Sequence, residues 1–167
     1  MTDAASTQDA PTQDAAALTR YIETRYHQRH REQLPELAEI AARVETVHSN
    51  EREVPAGLSD ILRRLVGEME VHMKKEELIL FPAIRKGGVP GLVNPIAVMR
   101  AEHDHHDQEI DEIRRLTGGP TLPENACGSW TALYAGLEEF ITDLREHIRL
   151  ENDVLFPQFE SGITAHG

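Results

Sequence analysis

The sequence predicts an all-α fold, an up-down-up-down bundle of four long helices. Three features point there. Strand signals are nearly absent, with no sustained two-residue alternation and no Asn-Gly or Asp-Gly turn between β-branched runs. Apolar residues recur instead at three- and four-residue intervals through four long stretches joined by short links. The second half of the chain also echoes the first. HMKKEELILFP at 72–82 and HIRLENDVLFP at 147–157 share a His, a Glu four residues on, and then Leu-Phe-Pro.

The first helix is expected over residues 15–48, with a kink at Pro35, whose missing N–H disturbs the helical ladder. The loop SNEREVPAG separates it from a second helix over 58–86. Gly87-Gly88 would end that helix, since glycine accepts the left-handed conformation common at a C-terminus. Asn94-Pro95 reads as an N-cap followed by proline at the first helical position, opening a third helix that ends near Thr117-Gly118-Gly119. Beyond TLPEN a fourth helix runs to about residue 160, with Gly162 past its end. These expectations divide the chain into a flexible acidic tail (1–14), the bundle (15–161) and a short C-terminal tail (162–167).

Composition narrows the function. At 40% hydrophobic and 28% charged, the chain has the make-up of a soluble single domain; only eight residues are aromatic, so aliphatic side chains must fill the core. A net charge of −12 argues against nucleic acid as a partner, since a basic face normally supplies that affinity. No apolar run is long enough to span a membrane, and the N-terminus has neither the basic nor the apolar region of a signal peptide. The lone Cys127 cannot form an internal disulfide, which suits a reducing cytoplasm and a half-buried structural role. The nine histidines are the oddity.

Their positions explain them. The apolar stripe of the second helix reads Leu58, Ile61, Leu65, Met69, His72, Glu76, Ile79, Ala83, and that of the fourth reads Leu133, Leu137, Phe140, Leu144, His147, Glu151, Val154, Gln158. The third gives Ile96, Met99, His103, His106, Ile110, Ile113, and the first gives His27, His30, Leu34, Leu37, Ala41, Val44, His48. His27 precedes His72 by 72 − 27 = 45 residues, and His103 precedes His147 by 147 − 103 = 44. Two similar hairpins thus each offer one His from the first helix and a His-x-x-x-Glu pair from the second.

Buried carboxylates and imidazoles on one core-facing stripe cost several kcal/mol each unless paired or metal-bound. Hydrogen-bonded His–Glu pairs within each helix are the plainer alternative, but the duplication favours metal. Imidazole and carboxylate without thiolate suit iron, manganese or zinc. Six protein ligands exceed the four of a structural zinc site, so two ions fit better. Glu76 and Glu151 would bridge them, with His27, His72, His103 and His147 as terminal ligands and room on each ion for water, an oxo bridge or a diatomic molecule. A ferritin-like arrangement is disfavoured. Glu45-x-x-His48 and Glu102-x-x-His105 have its short motif but lack partner glutamates at matched positions, and Glu102 and His105 lie off the stripe.

RYHQRHREQLPEL, VETVH, EMEVHMKKEELILFP, PIAVMRAEHD and DLREHIRLENDVLFP resemble the RIC (repair of iron centres) branch of the hemerythrin-like proteins, over about residues 18–160. The resemblance implies a hemerythrin-like bundle with a non-haem di-iron centre on the same six residues. It also implies a cytoplasmic role in repairing or protecting iron–sulfur clusters under nitrosative or oxidative stress. Nitric oxide, dioxygen or peroxide would be the small partners, and damaged iron–sulfur proteins the recipients of donated iron. Turnover at the centre stays open, and a reversible sensor or carrier of dioxygen or nitric oxide is the alternative. Two departures stand out. Family members typically carry a further N-terminal domain with a Cys-Cys pair, where this chain has an acidic tail. Oxygen-carrying hemerythrins have a second His one turn after the ligand of the third helix, where this chain has Asp107. His106 is expected to line the pocket or support a ligand, His48 to sit at the bundle end, and His30 to bond a ligand carboxylate. His105 and His166 are expected at the surface, and Tyr21, Tyr26 and Tyr134 in or beside the core.

Glu76→Ala or Glu151→Ala is expected to lower metal occupancy far more than Glu45→Ala, read by metal analysis of protein purified without chelators. Equal occupancy in the three variants would mean that other carboxylates hold the ions.

Overall fold

The computed structural model describes residues 9–160, and among them the chain forms four antiparallel helical rods. The first consists of α1 (Ala15–Ile22), a π-helical turn (Glu23–His27) and α2 (Gln28–Val47). The second consists of α3 (Leu58–Lys75), a π-helical turn (Glu76–Leu80) and α4 (Phe81–Arg85). The third is α5 (Val93–Thr117), and the fourth joins α6 (Gly128–Arg149) to a π-helical turn (Leu150–Leu155), with 157–160 helical again. Each rod packs on the next and the fourth closes on the first, giving the expected four-helix bundle. Of the tail expected over 1–14, residues 1–8 lie outside the described residues. Asp14 caps α1 by accepting the Ala17 N–H. The tail expected over 162–167, with His166, also lies outside them.

Boundaries mostly follow local chemistry. Gly118, at φ 68°, ends α5 in the left-handed conformation anticipated for it. The second rod closes where the Gly88 N–H reaches back to the Ala83 carbonyl. Two expectations need correction. α5 begins at Val93, so Asn94 is not its cap and Pro95 is its third residue; proline is tolerated there because N–H groups of the first turn have no intrahelical partner. α2 also runs unbroken through Pro35, and the irregularity of the first rod falls at Glu23–His27 instead.

The π turns explain the main misreading of the core. In such a turn the bond runs from residue i+5 to i, so one extra residue is accommodated and everything beyond is rotated. The Phe81 N–H bonds to the Glu76 carbonyl, and the Phe156 N–H bonds to the Glu151 carbonyl. The stripes read with a uniform 3.6 period therefore hold as far as Glu76 and Glu151 and then slip by one. Ile79 is 64% exposed and Ala83 half-buried, while Leu80, Phe81 and Ile84 take the core positions. Likewise Val154 is half-buried and Gln158 exposed, while Leu155 and Phe156 are buried. The third rod has no π turn among the described residues, and all six residues of its stripe are buried.

Two apolar clusters result. One gathers Leu34, Leu37, Leu62, Leu65, Trp130 and Phe140 with their neighbours; the other gathers Leu18, Ile22, Phe81, Ile96, Leu155 and Phe156. In the first and third rods the buried His and Glu residues fall in sequence between the contributions to the two clusters, and in the second and fourth they fall at the junction, interleaved with Met73, Ile148 and Leu150, so the polar groups form a layer with apolar packing on both sides. Glu45 takes no part in that layer. Its carboxylate accepts the Gly57 and Ser59 N–H groups (3.0 and 2.7 Å) at the start of α3.

The register shift has a simple test in urea unfolding. Ile79→Ala is expected to change stability by under about 0.5 kcal/mol, and Leu80→Ala to cost about 2–5 kcal/mol.

Candidate metal centre

All six side chains picked out by spacing meet in the buried layer. His27, Glu76 and Glu151 are 0% exposed, His103 and His147 1%, and His72 2%. They form two overlapping groups, His27–Glu76–His147–Glu151 and His72–Glu76–His103–Glu151. Both glutamates belong to both groups, and each turns a different oxygen to each. Glu76 Oε1 lies 3.1 Å from His27 Nε2 and 3.9 Å from His147 Nε2, while its Oε2 lies 3.3 Å from His72 Nε2 and 3.9 Å from His103 Nε2. Glu151 Oε1 lies 2.9 Å from His103 Nε2, and its Oε2 lies 2.8 Å from His147 Nε2.

The π turns help set this geometry. His27 is the last residue of one, Glu76 opens the second, and Glu151 is the second residue of the third. A locally widened helix thus presents three of the six groups.

Each imidazole is oriented from behind. His27 Nδ1 bonds Glu77 Oε2 (2.7 Å), His72 Nδ1 bonds Glu102 Oε1 (2.7 Å), and His103 Nδ1 bonds Asn152 Oδ1 (2.8 Å). A carboxylate or amide oxygen only accepts, so these three Nδ1 atoms carry protons and, in the neutral ring, Nε2 presents its lone pair to the centre. His147 Nδ1 faces His30 Nε2 at 3.2 Å. His30 therefore touches a ring, not the carboxylate expected. Glu77, Glu102 and Asn152 were missed in the sequence, although Glu77 and Asn152 each directly follow a core Glu and that repeat was legible. Arg31 in turn holds both Glu77 oxygens (2.8 and 3.0 Å).

Burial opposes charge on His27 and His72. Glu76 and Glu77 outweigh it at His27, raising it to about 9, and Glu76 and Glu102 do so at His72, raising it to about 10. Burial likewise opposes charge on Glu76, yet His72, His147 and His27 hold it well below the usual carboxylate range. Burial and the neighbouring His147 push His30 far down, keeping it neutral.

The donor set fits cations. His72 Nε2, Glu76 Oε2, His103 Nε2 and Glu151 Oε1 are buried with no hydrogen-bond partner, and these atoms all belong to the second group. Buried polar atoms left without a partner are costly, and a positive ion between these four would satisfy them together.

The remaining residues sort plainly. His106 is 2% exposed and 5.0 Å ring-to-ring from His72 but belongs to neither group. It lines a cavity of about 520 Å³ with Lys75, Glu102 and His105. Asp107 is exposed. Tyr26 stacks on His147 at 5.6 Å and is the tyrosine nearest the layer; burial raises its hydroxyl to about 12. His48 is half-buried between Glu51 and the Sγ of Cys127, which caps α6.

Residues 19–159 match the Hemerythrin HHE cation binding domain. The chain belongs to that family. It is 48% identical over 157 residues to iron-sulfur cluster repair proteins YtfE of Yersinia pseudotuberculosis serotype O:1b (strain IP 31758) and Yersinia pestis (strain Pestoides F). The match covers 94% of this chain and 71% of each relative. The family resemblance read from the sequence is therefore borne out, and a cation-binding domain agrees with the donor set.

The histidine shifts make a prediction for chelator-treated protein. His27 and His72 are raised when folded, so their contribution is full below about pH 6.5 and is lost as pH rises through about 9 and 10. Thermal unfolding from pH 6 to 10 should fall in this range, and His27→Gln should flatten it. A profile equally steep in the variant would contradict the assignment.

Proposed function

We propose that His27, His72, Glu76, His103, His147 and Glu151 hold two iron ions, and that the protein repairs or protects iron–sulfur clusters in the cytoplasm under nitrosative or oxidative stress. One observation carries the two-ion reading: Glu76 directs one oxygen toward His27 and His147 and the other toward His72 and His103, and Glu151 directs one toward His147 and the other toward His103. Carboxylates so placed would hold one ion on each side. The repair role is supported by the YtfE relatives, which are iron-sulfur cluster repair proteins.

Donor chemistry supports iron. Four neutral imidazoles and two carboxylates without thiolate are borderline ligands, and two carboxylates offset half the charge of two divalent ions. When bound, a reduced pair of this kind supplies electrons and open coordination positions for nitric oxide, dioxygen or peroxide.

The protein's own contribution is positioning. Glu77 and Glu102 each place a negative charge behind one imidazole, one for each ion, raising its basicity, while Asn152 and His30 orient the other two rings. Phe81 and Phe156 lie flat against His27 and His103 and exclude water from those faces. His106, held near 3 by burial and by His72, is a neutral wall between the cavity and the centre. Small diatomic molecules would approach along that wall. Ligation without sulfur suits an ion that is released as well as held, as iron donation to a damaged cluster requires. Exposed Asp107 replaces the extra His of an oxygen carrier, which weighs against the reversible carrier.

Protein purified without chelators is expected to contain close to two iron ions per chain with a di-iron optical spectrum. Asn152→Ala should weaken iron binding about 10–100-fold. Stopped-flow mixing of the reduced protein with nitric oxide or dioxygen tests the rest: consumption of gas or loss of iron supports repair chemistry, and a stable adduct recovered on degassing supports the carrier. Less than one transition-metal ion per chain would defeat both.

A further inference from the structure

Glu68 and His105 line the cavity beside His106, and with the buried Glu109 they form a second cluster that the proposed centre does not use. His105 and Glu109 on α5 repeat the His-x-x-x-Glu spacing of the two core pairs, and Glu68 faces them from α3. His105 Nε2 stands 3.5 Å from Glu68 Oε1 and 3.6 Å from Glu109 Oε2. One donor atom from each of the three residues lies within 4.8 Å of the other two.

We propose that Glu68, His105 and Glu109 form a separate mononuclear site for a divalent first-row cation such as Zn(II), Mn(II) or Fe(II). Three observations carry it. First, the His–carboxylate separations are at or beyond the limit of a hydrogen bond, yet they match the edges of a coordination polyhedron. A tetrahedron with metal–ligand bonds of about 2.0–2.2 Å has edges of about 3.3–3.6 Å. Second, Glu109 is only 4% exposed, and neither of its carboxylate oxygens has a hydrogen-bond partner; Glu68 Oε1 is buried and unpartnered too. Unpartnered carboxylate oxygens brought together in this way repel each other unless a proton or a cation joins them, although the Glu68 side chain is itself 34% exposed. Third, His106 lines the same cavity, is 2% exposed, and keeps an unpartnered Nδ1.

The charge already present does not meet this need. Arg64 Nε is 3.6 Å from Glu109 Oε2 and 3.9 Å from Glu68 Oε2, outside hydrogen-bonding distance, and its side chain is 56% exposed. It is free to turn into solvent when a metal enters. Burial and the adjacent Glu68 carboxyl raise Glu109 to about 7, and Arg64 offsets them only in part. Two carboxylates and one imidazole without thiolate select the same borderline divalent ions as the buried centre. His105, 54% exposed at its side chain, leaves the site open to solvent.

Zn(II) is the probe. Iron-loaded protein is dialysed against Zn(II), and iron and zinc are counted on the same samples; crystals of the zinc-treated protein are measured at the zinc absorption edge. Wild-type protein is expected to bind one zinc more per chain than Glu109→Gln and His105→Gln, with iron content unchanged, and to give an anomalous peak bounded by Glu68, His105 and Glu109. Arg64→Gln should tighten zinc binding about threefold. Because His105 is exposed, its variant keeps the test valid if Glu109→Gln fails to fold. Equal zinc in wild type and both variants, or no peak at the triad, overturns the proposal. Low iron with the zinc difference intact would instead count against the di-iron reading and leave this site standing.

Discussion

Two carboxylates and four imidazoles share a layer from which water is excluded, and the rest of the bundle is arranged around that constraint. Isolated charges in such a place cost several kcal/mol each, even after relaxation. The layer lies between two apolar clusters, so solvation cannot meet that cost. Compensation has to come from within: from the facing groups, from the ring of outer partners, and from the cations proposed to lie between the two pairs of histidines. The outer partners are linked outward in turn, Glu77 to Arg31 and Glu102 to Lys75, so the field of the buried groups is balanced in steps toward the surface.

The repeated segment has a compact physical meaning. Its His and Glu face the centre one turn apart. The residue after the Glu, Glu77 or Asn152, accepts the Nδ1–H of the histidine supplied by the other helix of the same hairpin. The Phe of Leu-Phe-Pro then stacks on that same ring, at 5.8 Å for Phe81 on His27 and 6.0 Å for Phe156 on His103. One short stretch therefore supplies a pair of inward groups, an anchor for a third, and an apolar lid over it. Duplication of the stretch places equivalent histidines in both hairpins under the same restraints.

Legibility in the sequence failed where one helix changed pitch or another approached. Glu76 and Glu151 were readable because up to those residues the helices are regular. Ile79, Ala83, Val154 and Gln158 were not, because a π turn consumes an extra residue and rotates the remainder of the rod. The partner of His30 was missed for a different reason: the His147 ring comes from the fourth rod, 117 residues away in the chain. Glu102 looked idle off the stripe of α5, yet from that flank it reaches His72 of α3.

The sequence by itself determined the bundle, the two-hairpin repeat and the choice of six inward groups. Each of these depends on spacing along a single helix, where a regular rise and turn make position predictable. Only the tertiary structure decided which glutamate oxygen faces which histidine, which residues stand behind the rings, and that Glu68 meets His105 and Glu109 across two helices. Those are distances between separate rods, set by side-chain packing and by the phase of each π turn, and spacing within one helix does not encode them.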